Sequence, residues 1–196
     1  MPTQPIRLAV INGSTRRGRT SRIIIDWLLD AIRVREDLSP DLINLADVPL
    51  TSRSPVVGPD PETARVLADT SARLAAADAF IVITPEYNRS FPASLKNFVD
   101  WHVTEWQAKP VGFACYSGGV SRGLLAVEQL RPVFAELRAV TLRDTASFAG
   151  GEPVSDASGR PKDQALLAAV AKTLLDELVW WALALREART ARPYAG

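Results

Sequence analysis

The segment Phe80-Ile81-Val82-Ile83-Thr84 is an unbroken apolar run near the middle of the chain, and it is the strongest indication of the fold class. A short run of this kind is typical of a parallel strand that helices cover on both faces. We therefore expect residues 80–84 to form a central strand. A turn-forming segment with prolines at both ends, residues 85–92, follows the run, and a helical pattern begins after it.

The same alternation of short strand and longer helix extends in both directions along the chain. Further strands are predicted at 6–11, 42–45, 109–116 and 140–142, and helices near 21–35, 61–77, 92–105, 122–138 and 162–189. Five strands that alternate with five helices predict an α/β fold, a doubly wound sheet with helices on both faces. Ligands bind at the carboxyl ends of the strands in such sheets, so the loops after strands one, three and four are expected to carry the chemistry.

The composition excludes several classes of function. The 196 residues are 47% hydrophobic, enough for a single domain, 1–196, to bury a core without disulfides or a structural metal. The 23 Lys and Arg nearly balance the 22 Asp and Glu, which gives no general attraction to nucleic acid or an anionic membrane. One cysteine and one histidine are too few for a zinc site. Without a signal-peptide pattern or a long uncharged apolar run, we expect a cytoplasmic protein.

The loop after the first strand has the composition of an anion site. Between Gly13 and the start of the helix it combines hydroxyl side chains with three arginines, namely Ser14, Thr15, Arg16, Arg17, Arg19, Thr20 and Ser21. A helix N-terminus adds unpaired N–H groups and a partial positive charge, so the turn predicts a phosphate site. A solvated basic turn capped by Thr20 or Ser21 is the alternative interpretation.

Two nucleotide-binding motifs can be compared with this turn. The spacing from Gly13 to Gly18 followed by Arg19-Thr20 is close to the P-loop, but arginine replaces the lysine. The third strand ends in Ile83-Thr84-Pro85-Glu86, which places no carboxylate directly at its end to organise Mg²⁺. The G-x-G-x-x-G fingerprint of dinucleotide-binding folds is absent from the turn. A P-loop kinase or NTPase stays open as an alternative.

The loops after the third and fourth strands could hold a flat ring. Tyr87 and the backbone amides around it could lie against an aromatic ligand, and Asn88 could hold the turn through an Asx-type hydrogen bond. In the later loop, Gly118-Gly119 would allow N–H groups to approach the polar edge of a ring. From these residues alone, either loop could equally be an ordinary connection.

The aromatic residues and the single histidine lead to two further expectations. The helices carry more large apolar side chains than one face of the sheet can cover, namely Phe98 and Trp101 in one helix and Trp180-Trp181 in the last. This surplus apolar surface predicts a homodimer. Core packing of the Trp180-Trp181 pair is the alternative. His102 shares a helix face with Phe98 and other apolar residues, so we expect a packed histidine and not a catalytic base.

Together, the three loops resemble those of the NADPH-dependent FMN reductases, a flavodoxin-like family of FMN, quinone, azo and chromate reductases. The shared motifs are Gly13-Ser14-Thr15-Arg16 with Gly18-Arg19, Pro85-Glu86-Tyr87-Asn88 with Pro92, Leu95-Lys96-Asn97 with Asp100-Trp101, and Gly118-Gly119 with Leu130-Arg131. The resemblance covers nearly the whole chain. It implies a flavodoxin-like three-layer sandwich with a five-stranded parallel sheet of order 2-1-3-4-5, active as a homodimer or a dimer of dimers.

The resemblance also implies which residues would hold FMN. The phosphate would be bound by Ser14, Arg16, Arg19, Thr20 and Ser21, the isoalloxazine would be lined by Pro85, Glu86, Tyr87 and Asn88, and its pyrimidine end would meet Ser117, Gly118 and Gly119. Two positions depart from the family pattern. Many relatives carry an aromatic residue immediately before the paired glycines, where this chain has Ser117 with Tyr116 one position earlier. Arg19 stands where relatives have serine.

The activity implied is an NADPH-dependent FMN reductase or quinone-type oxidoreductase. Hydride would pass from NADPH through FMN to a flavin, a quinone or a similar small-molecule acceptor by a ping-pong route, with Arg16 or Arg17 contacting the 2′-phosphate of NADPH. No catalytic side chain is required, since N5 of the flavin carries the chemistry. A non-catalytic flavin electron carrier is the alternative from another class, although flavodoxins are usually acidic and this chain is nearly neutral, with a net charge of +1.

Overall fold

Five parallel strands form the centre of the molecule, in the order β2-β1-β3-β4-β5. The computed structural model describes residues 4–16, 19–50, 58–149 and 163–195, with only the backbone of Arg19. The strands are β1 (Ile6–Asn12), β2 (Leu38–Asn44), β3 (Ala79–Pro85), β4 (Pro110–Ser117) and β5 (Val140–Ala149). Every residue of β3 is buried, which confirms that the apolar run at 80–84 predicts a central strand.

Five α-helices cover the sheet in two layers. They are α1 (Arg19–Arg33), α2 (Pro61–Ala76), α3 (Ala93–Asp100), α4 (Leu124–Glu136) and α5 (Gln164–Ala191), and a short 3₁₀ helix, Leu45–Asp47, follows β2. One apolar core lies between the sheet and helices α1 and α5, and a second core lies between the sheet and helices α2, α3 and α4. This is the predicted three-layer sandwich. None of these helices, within the described ranges, is long and apolar enough to cross a bilayer.

The two edge strands are longer than the sequence predicts. β2 begins at Leu38, and its residues Ser39, Pro40 and Asp41 are exposed at the sheet edge. β5 continues past Leu142 to Ala149 through polar, partly exposed residues. An edge strand has a neighbour on only one side, so exposed polar residues join the ladder without an apolar signal.

Two helix ends also differ from the prediction. α3 ends at Asp100, several residues before the predicted end at 105, and α5 extends to Ala191, two residues past the predicted end at 189. The prolines at 55, 59 and 61 predict an irregular loop between Leu50 and Pro61, and residues 51–57 of that loop lie outside the described residues. These differences leave the positions of the three strand-end loops unchanged.

Charged side chains close the amino end of the sheet. The carboxylate of Asp78 is buried just before β3, accepts the backbone N–H of Arg7 at 3.0 Å, and lies 3.5 Å from Arg186 and 3.7 Å from Arg189. Nearby, the Nζ atom of Lys109 donates to the carbonyls of Leu74 and Ala75 at 2.9 and 3.0 Å, at the end of α2. Burial lowers the pKa of Lys109 to about 8. These contacts join α2 and α5 to the sheet.

Candidate functional site

The carboxyl end of the sheet brings the three predicted loops side by side. The N–H of Gly13, directly after β1, donates to the carbonyl of Ile83 in β3 at 2.8 Å. The N–H of Glu86, directly after β3, donates to the carbonyl of Tyr116 in β4 at 3.0 Å. The β1–α1, β3–α3 and β4–α4 loops are therefore neighbours, as the doubly wound topology requires.

Gly13 is required by close packing at the start of the β1–α1 loop. A Cβ atom at this position would lie 3.1 Å from Cδ2 of Leu95 and 3.2 Å from the carbonyl oxygen of Ile83. The hydroxyl of Ser94, at the start of α3, donates to the carbonyl of Gly13 at 3.2 Å. The first loop is thus fixed against the start of α3.

Asn12 sets the conformation of the same loop, and the sequence analysis did not identify it. Its Oδ1 accepts the N–H of Ser14 at 3.2 Å, and its Nδ2 donates to the carbonyl of Ser14 at 3.3 Å and to Oδ1 of Asn44 at 2.8 Å. Asn44 in turn donates to Asp47 at 2.8 Å. A polar residue at the last position of a buried strand was the available signal, because a buried amide needs partners.

Hydroxyl groups converge at the start of α1, where the phosphate site is predicted. Ser14 and Ser21 are buried, Thr20 is half-buried, and Arg16 is exposed beside them. The hydroxyl of Tyr116 reaches the hydroxyls of Ser14 and Ser21, and its pKa is raised because the phenol is buried. Arg17, Gly18 and the side chain of Arg19 lie outside the described residues. This hydroxyl cluster sits beside the N–H groups of the first helical turn, which is the chemistry that binds a phosphate.

The β3–α3 loop contains a tight turn with two left-handed residues. The N–H of Tyr87 donates to the carbonyl of Ser90 at 2.7 Å, and the N–H of Ser90 donates back to the carbonyl of Tyr87 at 3.0 Å. Between them, Asn88 and Arg89 have φ angles of 50° and 68°. The turn is closed by these backbone bonds, whereas we expected an Asx-type bond from Asn88. It leaves Pro85 buried, Tyr87 half-buried and Asn88 exposed.

The carboxylate of Glu86 connects the second loop to the third. Its Oε1 accepts the hydroxyl of Ser121 at 2.9 Å, and its Oε2 accepts the N–H of Leu125, in the first turn of α4, at 3.3 Å. The N-cap position of α4 is Gly123, which has no side chain to cap the helix. Glu86 therefore caps α4 from another loop and fixes the distance between the two loops.

The β4–α4 loop has two kinds of glycine. Gly118 and Gly119 are exposed, and a Cβ atom on Gly118 would meet no atom within 4 Å. The N–H of Gly119 donates to the hydroxyl of Ser117 at 3.0 Å. Gly123 has a φ of 93°, and a Cβ atom there would lie 2.5 Å from the backbone nitrogen of Tyr116. The fold thus needs Gly123, which sequence reasoning missed, whereas the paired glycines leave an open surface.

The sequence matches one protein family over most of its length. Residues 6–152 match the model of the NADPH-dependent FMN reductases. The chain belongs to this family. A 2-hydroxy-1,4-benzoquinone reductase of a Burkholderia species is 32% identical over 142 residues, which cover 70% of this chain and 74% of that protein. Membership makes the protein an oxidoreductase and decides against the P-loop alternative.

Two further relatives are consistent with this family. An NAD(P)H-dependent FMN reductase of Schizosaccharomyces pombe is 31% identical over 116 residues, which cover 57% of this chain and 58% of that protein, less than two thirds of its length. The structure of a flavoenzyme NAD(P)H:(acceptor) oxidoreductase from Paracoccus denitrificans matches with a TM-score of 0.74 and 24% identity, over 91% of this chain and 98% of that one. The structural match shows the flavodoxin-like fold.

His102 and Cys115 of this FMN reductase family member are packing residues. His102 is fully buried, and its Nδ1–H donates to the carbonyl of Phe98 at 2.7 Å while Nε2 lies 2.9 Å from the hydroxyl of Thr70. Burial lowers the pKa of His102, which favours the neutral ring. Burial also raises the pKa of the Cys115 thiol to about 12. The expected packed histidine is confirmed.

One part of the predicted dimer surface is wrong. Phe98 is fully buried in the core beneath α3, where its ring lies 4.5 Å from His102 and 6.3 Å from Trp106 between centroids. The helix presents Phe98 to the sheet, so it contributes no surplus surface. Trp180, in contrast, is 63% exposed and packs edge-on against Trp181 at 5.0 Å. Trp181 itself packs against the core of α1 and α5.

Proposed function

We propose that this protein binds FMN across the three loops at the carboxyl end of the sheet and uses NAD(P)H to reduce a flavin, a quinone or a similar small-molecule acceptor. The observation that carries the proposal is the convergence of the hydroxyl cluster, the Tyr87 turn and the open Gly118 surface on one edge. Family membership and the names of the reductase relatives support it.

The residues of this edge fit the chemical parts of FMN. The phosphate carries negative charge, and the start of α1 offers the hydroxyls of Ser14, Thr20 and Ser21, the Arg16 guanidinium and free helical N–H groups. The isoalloxazine is flat and largely apolar, and the half-buried Tyr87 and the exposed Gly118, in two neighbouring loops, offer surfaces for it. The carboxyl end of β3 lies between the region suited to the phosphate and the region suited to the ring.

Bound FMN would supply the redox chemistry, accepting hydride at N5 from NAD(P)H and returning electrons to the acceptor. The protein's own groups would orient the ring. Glu86 holds the β3–α3 loop against α4, and the N–H of Gly118 can face the pyrimidine edge. The described residues of the edge present no acid–base pair, so ring placement is the main contribution that we assign to the protein.

NADPH and the acceptor would use the same open side in turn, which gives ping-pong kinetics. Because both ligands need the exposed ring face, only one can occupy the site at a time. Arg16 is an exposed cation at this edge and is our candidate for the 2′-phosphate of NADPH; Arg17, the other candidate, lies outside the described residues. Initial velocities measured at several quinone concentrations should give parallel double-reciprocal lines. Intersecting lines would contradict the shared site.

We also propose that two copies associate through α5, to give a homodimer or a dimer of dimers in the cytoplasm. Trp180 is 63% exposed and Leu183 is 37% exposed on the outer face of this helix. A second copy would cover the patch by symmetry. Sedimentation at micromolar concentration should give a dimer or tetramer, and Trp180→Ser should shift it toward monomer. A monomeric wild-type protein would contradict the proposal.

The enzymatic proposal is tested by the absorbance of the protein mixed with FMN. Wild-type protein should bind the flavin, and anaerobic NADPH should bleach the visible absorbance of the complex faster than it bleaches free FMN. The protein heated to unfold it serves as the control. Binding without bleaching would support the electron-carrier alternative, and no binding would contradict the FMN assignment.

A further inference from the structure

Tyr116 lies at the boundary between the strand core and the predicted phosphate site. It is the penultimate residue of β4, paired with Pro85 of β3 and Phe148 of β5. Its side chain packs against the core cluster formed by α1 and α5. The residue is partly buried, and its hydroxyl interacts with Ser14 of the β1–α1 loop and with Ser21 of α1.

The strand pleat explains why Tyr116 reaches this loop. Successive side chains on a strand point to opposite faces of the sheet. Cys115 packs in the core on the α3 and α4 side, and Tyr116 packs on the α1 side. An aromatic residue at position 117 would face away from α1, whereas Tyr116 faces it.

The environment of the Tyr116 hydroxyl is rich in hydrogen-bond donors. The hydroxyls of Ser14 and Ser21 interact with it, and both serines are buried. The guanidinium of Arg16 is close enough to interact with the phenol electrostatically. Three hydroxyl groups beside a cation and a helix N-terminus are suited to an oxyanion that accepts several hydrogen bonds at once.

We propose that Tyr116 is a phosphate-binding residue, whose hydroxyl donates a hydrogen bond to the phosphate of FMN together with Ser14 and Ser21. The inference rests on the proposed FMN site and adds to it a residue from β4, outside the β1–α1 loop. It assigns Tyr116 a role in choosing FMN over flavins without a phosphate. Because burial raises the pKa of the phenol, the hydroxyl keeps its proton and stays a donor through neutral and alkaline pH.

The test compares FMN with riboflavin, which has the same ring and ribityl chain but no phosphate. Affinities are measured by quenching of flavin fluorescence for wild-type protein, Tyr116→Phe and the matched control Tyr194→Phe, whose ring is exposed near the end of the chain. Tyr116→Phe should bind FMN about tenfold more weakly, the effect of one hydrogen bond to a charged group, and riboflavin with unchanged affinity. Tyr194→Phe should match the wild type with both ligands.

The outcomes separate this inference from the proposed function. If the wild type binds neither flavin, the FMN proposal fails and the inference fails with it. If the wild type prefers FMN and Tyr116→Phe keeps the whole preference, or loses affinity for both flavins equally, the FMN site stands and only the role of Tyr116 is overturned. Should Tyr116→Phe not fold, Tyr116→Met is used instead, because it also lacks the hydroxyl and its side chain is more adaptable. The ratio of FMN affinity to riboflavin affinity then tests the role of Tyr116 in the same way.

Discussion

The two ends of the sheet are built from different chemistry. At the amino end, the buried carboxylate of Asp78 lies 3.5–3.7 Å from three arginines, so charged groups pair within the protein. At the carboxyl end, the hydroxyls of Ser14, Ser21 and Tyr116 meet beside Arg16, and hydrogen-bond donors predominate. The amino end uses its charged groups to hold the fold together, whereas the carboxyl end holds donors in place for a ligand. The following substitutions test this division.

The largest loss of stability is expected at the amino end. Asp78→Ala leaves Arg189 and Lys109 partly buried without their carboxylate, and should lower the free energy of unfolding by about 3–5 kcal/mol. Asp69→Ala is the control, because that side chain is 71% exposed and lies 3.7 Å from Arg73; it should change stability by less than about 1 kcal/mol. Urea denaturation measures both. Equal effects would show that the Asp78 cluster contributes no more than a surface ion pair.

Two glycines of the β4–α4 loop should separate stability from binding. Gly123→Ala places a methyl group 2.5 Å from a backbone nitrogen at a φ of 93°, so the free energy of unfolding should fall by about 2–4 kcal/mol. Gly118→Ala meets open space and should leave stability within about 0.5 kcal/mol while it weakens flavin binding. Thermal unfolding and fluorescence titration measure the two quantities. A Gly118→Ala variant with wild-type flavin affinity would remove that glycine from the site.

Removing the Glu86 carboxylate should moderately lower both the stability of the protein and its affinity for FMN. Glu86→Ala deletes the cap of α4 and the bond to Ser121, and we expect a loss of about 1 kcal/mol of stability and about fivefold in FMN affinity. Glu86→Gln keeps an oxygen that can accept the N–H of Leu125, so its losses of stability and of FMN affinity should be smaller than those of Glu86→Ala. Glu136→Ala, exposed at the far end of the same helix, is the control. If Glu86→Ala binds FMN like the wild type, the carboxylate does not position the loops.

The smallest effect is expected in the pH dependence of stability, and His102 is its source. This residue contacts Thr70 of α2 and Phe98 of α3, away from the two ends of the sheet. Burial holds its pKa below the ordinary value of 6.5, so the unfolded chain takes up the proton first as the pH falls. Stability should decline below about pH 6.5 as the unfolded state gains its proton. Urea midpoints of His102→Gln should fall less steeply over the same interval. Parallel curves would show that His102 does not contribute.

The sequence predicts the parts of this fold that carry a local signal. The unbroken apolar run of β3 is visible because the strand is buried on both faces, and the three loops are visible because their glycines, prolines and arginines are unusual. The starts and ends of β2 and β5 are missed because edge residues such as Pro40 and Thr145 pair with the neighbouring strand without an apolar pattern. Phe98 is wrongly placed at an interface when aromatic residues are counted as surplus surface, whereas its helical spacing with His102 correctly marks the buried face of α3.

The residues that organise the site depend on tertiary contacts. Asn12 acts through Asn44 on another strand, and Gly123 is needed because the β4–α4 loop folds back onto β4. Tyr116 reaches Ser14 and Ser21 only because β4 and α1 are brought together by the sheet. The sequence therefore indicates the three loops and their chemistry. The contacts that hold the loops together require the structure.

We expect three loops at the carboxyl end of the sheet to form a single FMN site. The decisive experiment is a crystal structure of the protein grown with FMN. We predict the phosphate at the start of α1, in contact with Ser14, Ser21 and Tyr116, and the ring between Tyr87 and Gly118. FMN bound elsewhere, or with its phosphate directed away from α1, would contradict the account.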